Sequence, residues 1–201
     1  VDINSKAVYI CQLRLWIELL KNAYYKNGIM ETLPNIDINI KIGNSLLSKV
    51  DYATGKKIKT DTETKKIIAQ YKELVSKYKA VSDKSAKKEL KQKLSETKEL
   101  VHGLYDQLSL FTIIDVTYDN AFEWGFEFPE ILDENGKFNG FDVIIGNPPY
   151  IQLQSMGQEA DKLQDMGYKT YARTGDIYCL FYELAYKLLK PNGFLSFITS
   201  N

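Results

Sequence analysis

The chain has 201 residues, 44% hydrophobic and 26% charged, with 26 basic and 26 acidic side chains. This is the composition of a soluble globular protein, long enough for one sizeable core or for one core carrying a large insertion. It excludes a membrane protein, because no apolar run approaches the roughly 20 residues a span needs, and VDINSKAVYI shows neither the basic stretch nor the apolar core of a secretory signal.

Residues 5–21, SKAVYICQLRLWIELLK, place Val8, Cys11 or Gln12, Leu15 and Leu19 at helical spacing, and Asn4 or Ser5 is a good cap. Residues 36–42, IDINIKI, alternate apolar and polar and predict a strand that ends at Gly43-Asn44. The composition then changes. Ile67, Tyr71, Leu74, Tyr78 and Val81, and after SDKS the series from Leu90 through Leu94, Thr97 and Val101 to Phe111, follow alternating spacings of four and three. Two such stretches predict a protruding helical hairpin with a coiled-coil seam, its first arm capped by Thr60 and Glu63 and its lysines on the solvated face. An aromatic-rich segment, DNAFEWGFEFPE, leads through a Gly/Asn loop into Phe141–Ile145, which reads as a strand buried on both faces. Residues 176–190 predict a helix capped by Asp176 and terminated by Pro191-Asn192-Gly193, and FLSFIT at 194–199 predicts a second buried strand. The alternation is that of an α/β fold with a parallel, doubly wound sheet.

Cys11 and Cys179 lie far apart in helical patterns, which favours two buried, reduced thiols in a cytoplasmic protein. The single histidine, His102, has no companions at metal-ligand spacing, so no metal site is expected. Residues 51–100 carry 14 lysines against 8 acidic residues, a net +6, so the remainder carries −6. An acidic globular part is not that of a self-sufficient nucleic-acid binder, and a grip on DNA would have to come from elsewhere.

The chemistry-bearing stretch is Asn147-Pro148-Pro149-Tyr150, directly after the strand at 141–145. Proline cannot donate to a ladder, so the pair ends the strand abruptly, and the residue before it is held extended. The result is a stiff platform at the carboxyl end of a strand, displaying an amide, unpaired carbonyls and an aromatic ring, where open α/β sheets place ligands. A proline pair after a strand also reads as a rigid turn; all four residues together favour a site.

FDVIIGNPPY, followed by a D-I-Y…F helix, LLKPNG and FLSFITSN, resembles the N6-adenine DNA methyltransferases. FEWGFEFPE…GFDVIIGNPPY resembles more narrowly the type IIG restriction–modification enzymes, single polypeptides that fuse a nuclease, a methyltransferase and a target-recognition region. The resemblance covers 1–50 and 111–201, with 51–110 as an inserted lysine-rich helical hairpin. It implies a Rossmann-like S-adenosylmethionine-dependent methyltransferase fold and double-stranded DNA with a flipped adenine as substrate. Asn147 and the Pro148 carbonyl would accept from the adenine amine, Pro149 would stiffen the pair, and Tyr150 would stack on the base. Asp2 would bind the cofactor ribose, Ile3 would pack on its adenine, Asn44 would meet the adenine amino group and Phe181 would wall the pocket. On the residues alone, Asp2 is also a helix-flanking carboxylate, Asn44 a turn residue and Phe181 a core aromatic. No F-x-G-x-G or G-x-G-x-x-G is present, so the chain is expected to begin after the glycine loop and to be inactive by itself. The alternatives are a protein-glutamine N5 methyltransferase, which shares NPPY, and a non-catalytic scaffold docking through its hairpin.

Overall fold

The computed structural model describes residues 1–21, 25–26, 29–30, 37–48, 62–81, 83–109, 121–134 and 137–199. Helix α1 spans Ser5–Lys21. Asn4 starts it, its side-chain oxygen accepting the N–H groups of Lys6 at 3.0 Å and Ala7 at 3.4 Å. Of its apolar residues only Val8 is fully buried, while Ile10, Leu13 and Ile17 stay about half exposed or more. Two-residue strands β1 (Tyr25–Lys26) and β2 (Ile29–Met30) pair antiparallel.

The strand predicted at 36–42 is a correction. Asp37–Asn39 form a 3₁₀ turn, and only the end of the stretch is extended, with Ile42 bridging Asp2 in parallel. The Asp2 N–H donates to the Lys41 carbonyl at 3.1 Å, and the Gly43 N–H donates to the Asp2 carbonyl at 3.0 Å. Alternation set the last residues; the turn is held because Ile38 packs against the next unit instead of a sheet.

That unit is α2 (Thr62–Ala80) and α3 (Lys84–Ser109). Thr64, Ile68, Tyr71, Leu74, Val75 and Tyr78 bury the inner face of α2, and Leu94 and Thr97 that of α3. A buried Leu or Val is worth about 1.5–3 kcal/mol, so this seam is the main reason two lysine-rich helices hold together. Asp83 caps α3, its carboxylate accepting the Ala86 N–H at 2.7 Å. The Thr60–Glu63 capping box falls partly, and Phe111 wholly, outside the described residues, as do the side chains of Val101 and His102.

The pair does not protrude freely. It packs against α4 (Trp124–Glu127) and the 3₁₀ turn Pro129–Ile131. Lys72 donates to the Leu132 carbonyl, Lys79 reaches Glu130 at 3.5 Å, and Lys98 reaches Glu127 at 2.7 Å. Lys41 meets the same Glu127 at 3.2 Å. Three lysines assigned to solvent are therefore clamps, because the aromatic segment presents carboxylates and a carbonyl to them. Desolvation holds the Lys41 ammonium below its ordinary value, although Glu127 opposes the shift. Tyr71 is pushed up, first by burial and then by Glu127 and Glu130.

Strand β3 (Phe141–Gly146) pairs in parallel with β4 (Leu189–Phe197), joined through α5 (Gln158–Asp165) and α6 (Tyr178–Leu188). Gly140 enters β3 at φ +81°, where a Cβ would lie 2.9 Å from the Leu188 carbonyl oxygen. Three expectations change here. Strand β3 is covered on one face only: Ile144 packs on the core under α6, whereas Val143 is 52% and Ile145 79% exposed. Asp176 does not cap α6 with its side chain; it bridges Gln152 while its carbonyl accepts the Cys179 N–H. Pro191-Asn192-Gly193 does not separate helix from strand. Helix α6 ends at Leu188, Leu189 already pairs with Phe141, and the triplet forms a bulge inside β4 with Asn192 at φ 65°. The cysteines are free, Cys11 exposed and Cys179 half-buried.

Breaking the Lys41–Glu127–Lys98 cluster strands two cations, one of them largely buried. Glu127→Ala should lower the unfolding free energy by about 2–4 kcal/mol, toward the lower end of what loss of a buried partner costs. Glu73→Ala, which removes an exposed pair with Lys77 at 2.6 Å, should leave the denaturant midpoint unchanged. Urea unfolding of both variants measures the difference.

Candidate active site

The Asn147–Tyr150 platform sits where β3 stops, one residue past Gly146. Pro148 is buried and fixes the turn from below, while Asn147, Pro149 and Tyr150 are exposed. The parallel ladder continues beside them, the Ile198 N–H donating to the Gly146 carbonyl at 3.1 Å. The Tyr150 hydroxyl lies 3.0 Å from Asn147 Oδ1 and 2.9 Å from the Ile198 carbonyl oxygen. Its ring meets Tyr178 of α6 edge-on, centroids 6.4 Å apart. The residues that follow are tied to the entry of α6, with Leu153 N–H on the Gly175 carbonyl and Ile177 N–H on the Ile151 carbonyl, both at 2.9 Å. Amide, proline turn and ring are thus gathered at the carboxyl end of two parallel strands.

The residues carried over to a cofactor form a second group. Asp2 and Gly43-Asn44 are adjacent through the Asp2–Ile42 bridge. Asp2 Oδ1 accepts the Asn4 N–H at 2.7 Å, and Ile3 beside it is 65% exposed. An exposed carboxylate next to an exposed apolar side chain, at the ends of neighbouring parallel segments, fits a ribose and a purine face. Asn44 is half-buried, and its Oδ1 accepts the Leu46 N–H at 3.2 Å, as a turn asparagine does. Phe181 is half-buried against the cluster that also contains Leu46 and Leu47. The two groups make no direct hydrogen bond to each other among the described residues. Among the described residues no cluster of His, Cys, Asp or Glu could hold a metal ion, and no helix is long and apolar enough to cross a membrane.

What joins the groups is an aromatic cluster whose positioning role sequence reasoning did not assign. Asn44 bridges Ala121, the Phe122 N–H donates to the Leu47 carbonyl at 2.7 Å, and Trp124 Nε1 donates to the Ser45 carbonyl at 3.4 Å. Trp124 stacks on Phe128, and both meet Phe141 at the start of β3 edge-on, at 5.6 and 6.0 Å. A Cβ on Gly43 would lie 2.5 Å from the ring of the fully buried Phe122, so only glycine lets the Asn44 turn sit against this cluster. The density of aromatic residues between 122 and 128 was the available signal.

The profile of the Eco57I restriction-modification methylase family matches residues 1–201. The chain belongs to this family. A Methanocaldococcus jannaschii protein named a type II restriction enzyme and methyltransferase is 29% identical over 264 residues, covering 98% of this chain and 21% of that protein. The Escherichia coli type II restriction enzyme and methyltransferase RM.Eco57I is 41% identical over 61 residues, 29% of this chain and 6% of its own. The type II methyltransferase M.BanIII of Aneurinibacillus aneurinilyticus is 38% identical over 71 residues, 34% of this chain and 12% of its own. The chain thus spans about a fifth or less of the length of each of these relatives. No solved structure gives a significant match.

In this Eco57I-family chain, α6 carries both Tyr178 and Phe181, and Glu183 fastens it to the preceding loop. Glu183 accepts the Thr170 N–H at 2.8 Å and the Thr170 hydroxyl at 3.0 Å, and pairs with Lys187 at 3.0 Å. Burial alone would raise this carboxyl, but the Thr170, Lys187 and Lys169 donors outweigh it and hold it below the ordinary carboxylate value. A depressed folded-state pKa stabilises above the unfolded value, about 4.3 for glutamate, and that contribution is lost as pH falls through the folded-state pKa. Glu183→Gln should therefore lower the melting temperature near neutral pH and narrow its gap to the native chain below pH 4. Thermal unfolding across pH 3–7 checks this, and a constant gap would count against it.

Proposed function

We propose that this chain forms part of the catalytic core of a site-specific DNA methyltransferase acting on adenine N6, within a restriction–modification enzyme. The observation that carries the reading is the platform after β3: one amide side chain, a proline carbonyl and a tethered aromatic ring at the carboxyl end of a parallel strand pair. Membership of a restriction-modification methylase family supports it.

The chemistry asks for such a platform. An adenine amine is a weak nucleophile because its lone pair is delocalised into the ring. Two acceptors aimed at its hydrogens, Asn147 Oδ1 and the Pro148 carbonyl, favour pyramidal nitrogen and localise that lone pair. Because the prolines fix the backbone that carries both acceptors before substrate arrives, less reorganisation remains for the reaction itself. The base has to leave the duplex to reach them, and the Tyr150 ring offers it a stacking face worth about 1–3 kcal/mol. Bound S-adenosylmethionine would supply an electrophilic methyl, and Asp2, Ile3, Asn44 and Phe181 are the residues assigned to hold it. Of these, Asp2 and Ile3 are exposed and Asn44 is half-buried, while Asp2 and Asn44 each already accept one backbone N–H through Oδ1.

The fold belonging to this reading is a Rossmann-like sheet, of which β3–α6–β4 and the Asp2–Ile42 pairing would be parts. Residues 1–50 and 111–201 form the methyltransferase core in this reading and 51–110 the insertion. Duplex DNA is the partner in this reading, with target recognition and any nuclease assigned to further parts of the polypeptide; two relatives are named both restriction enzyme and methyltransferase. A protein-glutamine N5 methyltransferase would use the same acceptors on an amide nitrogen, but the family match favours DNA.

In the full-length enzyme, Asn147→Ala should slow single-turnover methylation of an adenine-containing duplex by about 10²–10³, the usual cost of losing one preorganised polar group. Cofactor and DNA affinity should change little, because the acceptor acts mainly as the amine pyramidalises. Wild-type turnover per folded molecule would reduce the platform to a turn.

A further inference from the structure

A stacking role asks of Tyr150 only a ring, and phenylalanine would then serve as well. The structure gives its hydroxyl a position that stacking does not need. It lies 3.0 Å from Asn147 Oδ1 and 2.9 Å from the Ile198 carbonyl oxygen. A phenol carries one proton, so it can make one good bond as donor, and its oxygen can accept another. The Ile198 carbonyl can only accept. Asn147, by contrast, is an amide that can turn over, presenting either its oxygen or its NH₂ to the hydroxyl.

Two arrangements follow. With Oδ1 turned toward the tyrosine, Asn147 and Ile198 compete for the one hydroxyl proton, and Oδ1 faces the hydroxyl instead of a substrate amine. With the amide reversed, Asn147 Nδ2 donates to the hydroxyl oxygen and the hydroxyl donates to Ile198. The single hydroxyl proton then has its acceptor, and Oδ1 faces away from the tyrosine with its lone pairs available. We infer that the Tyr150 hydroxyl is a positioning group: in the substrate-bound enzyme it relays one hydrogen bond from the Asn147 amide to the Ile198 carbonyl and thereby holds Oδ1 toward the target amine. The relay uses a fixed anchor, because Ile198 is hydrogen-bonded through its N–H to Gly146, the residue just before Asn147. The ring beneath the hydroxyl is what the base would stack on, so base capture and amine orientation share one side chain but use different parts of it. This inference rests on the methyltransferase reading above.

The test uses the full-length enzyme and a duplex carrying its methylation site, with adenine at the target for rates and 2-aminopurine there to report base flipping. Tyr150→Phe should preserve the fluorescence rise of the flipped base and lower the single-turnover methylation rate on the order of 10–100-fold, as when a partner orienting a functional ligand is lost. Tyr150→Ala should lose both signals. In an Asn147→Ala background, Tyr150→Phe should cost nothing further, because the relay has nothing left to orient. Three results would overturn the inference: a wild-type rate for Tyr150→Phe, a Tyr150→Phe rate loss that follows a loss of fluorescence, or effects that multiply in the double variant. A wild-type rate for Asn147→Ala would instead sink the functional reading itself, and the relay with it. Tyr150 is half exposed, so the melting temperature of Tyr150→Phe should match the native enzyme and keep the comparison clean.

Discussion

The parallel pairing of β3 with β4 is the constraint on which the site depends. It sets Gly146 beside Phe197 and Ile198, so the platform at 147–150 is built against the end of a neighbouring strand and not on a free loop. Strand pairing has a two-residue period, and a slip by one would turn Ile144 out of the core and carry the Ile198 carbonyl away from Tyr150. The bulge at Pro191–Gly193 absorbs the extra residues between Leu189 and Phe194, which lets α6 run straight into β4 without disturbing the register near the site. Gly140 does the same service on the other strand, passing close to the Leu188 carbonyl where a side chain would clash.

The second requirement is that segments far apart in sequence keep a common frame. Phe122, Trp124 and Phe128 stand between the Asn44 turn and Phe141 at the start of β3, and edge-to-face contacts make that frame directional as well as apolar. Glu127 lies in the same short helix and binds Lys41 from one side and Lys98 from the other. A largely buried ion cluster gives little net stability, since desolvation offsets the attraction, but its partners cannot be separated cheaply. Its effect is therefore to fix where α2 and α3 sit against the aromatic segment. The basic helices are held by the acidic part of the chain, which gives the charge asymmetry between them a structural use.

Local rules explain what could be read in advance. The helix at 5–21, its Asn4 cap, the seam of α2 and α3, and the stop after Gly146 each depend on near neighbours: a cap, a four-three spacing, a proline pair. The errors came where distant partners decide. IDINIKI alternates like a strand, yet Ile38 is drawn to the helical pair and the backbone turns. Asp176 has a cap's chemistry, but its backbone is taken by Gln152. Sequence leaves the lysines in water because it cannot show that Glu127, Glu130 and the Leu132 carbonyl face them. At the candidate site, Asn147 and Tyr150 stand out as candidates from four residues, whereas the position of the Tyr150 hydroxyl requires knowing that Ile198, 48 residues later, ends beside it.

Under the proposed relay, that geometry also bears on why residue 147 is an amide. A carboxylate would accept from an amine at least as strongly, but it has no hydrogen to give. It would then take the tyrosine proton for itself, leaving the Ile198 carbonyl without its partner and the anion partly engaged before substrate arrived. An amide carries a donor and an acceptor at opposite edges of one planar group, so anchoring one edge points the other. It also brings no net charge into a place that a stacked base would shield from water, where an unpaired anion is costly. The proline pair fixes the backbone, the strand register fixes the carbonyl at 198, and the hydroxyl between them leaves the amide one orientation that keeps Oδ1 free for a substrate amine.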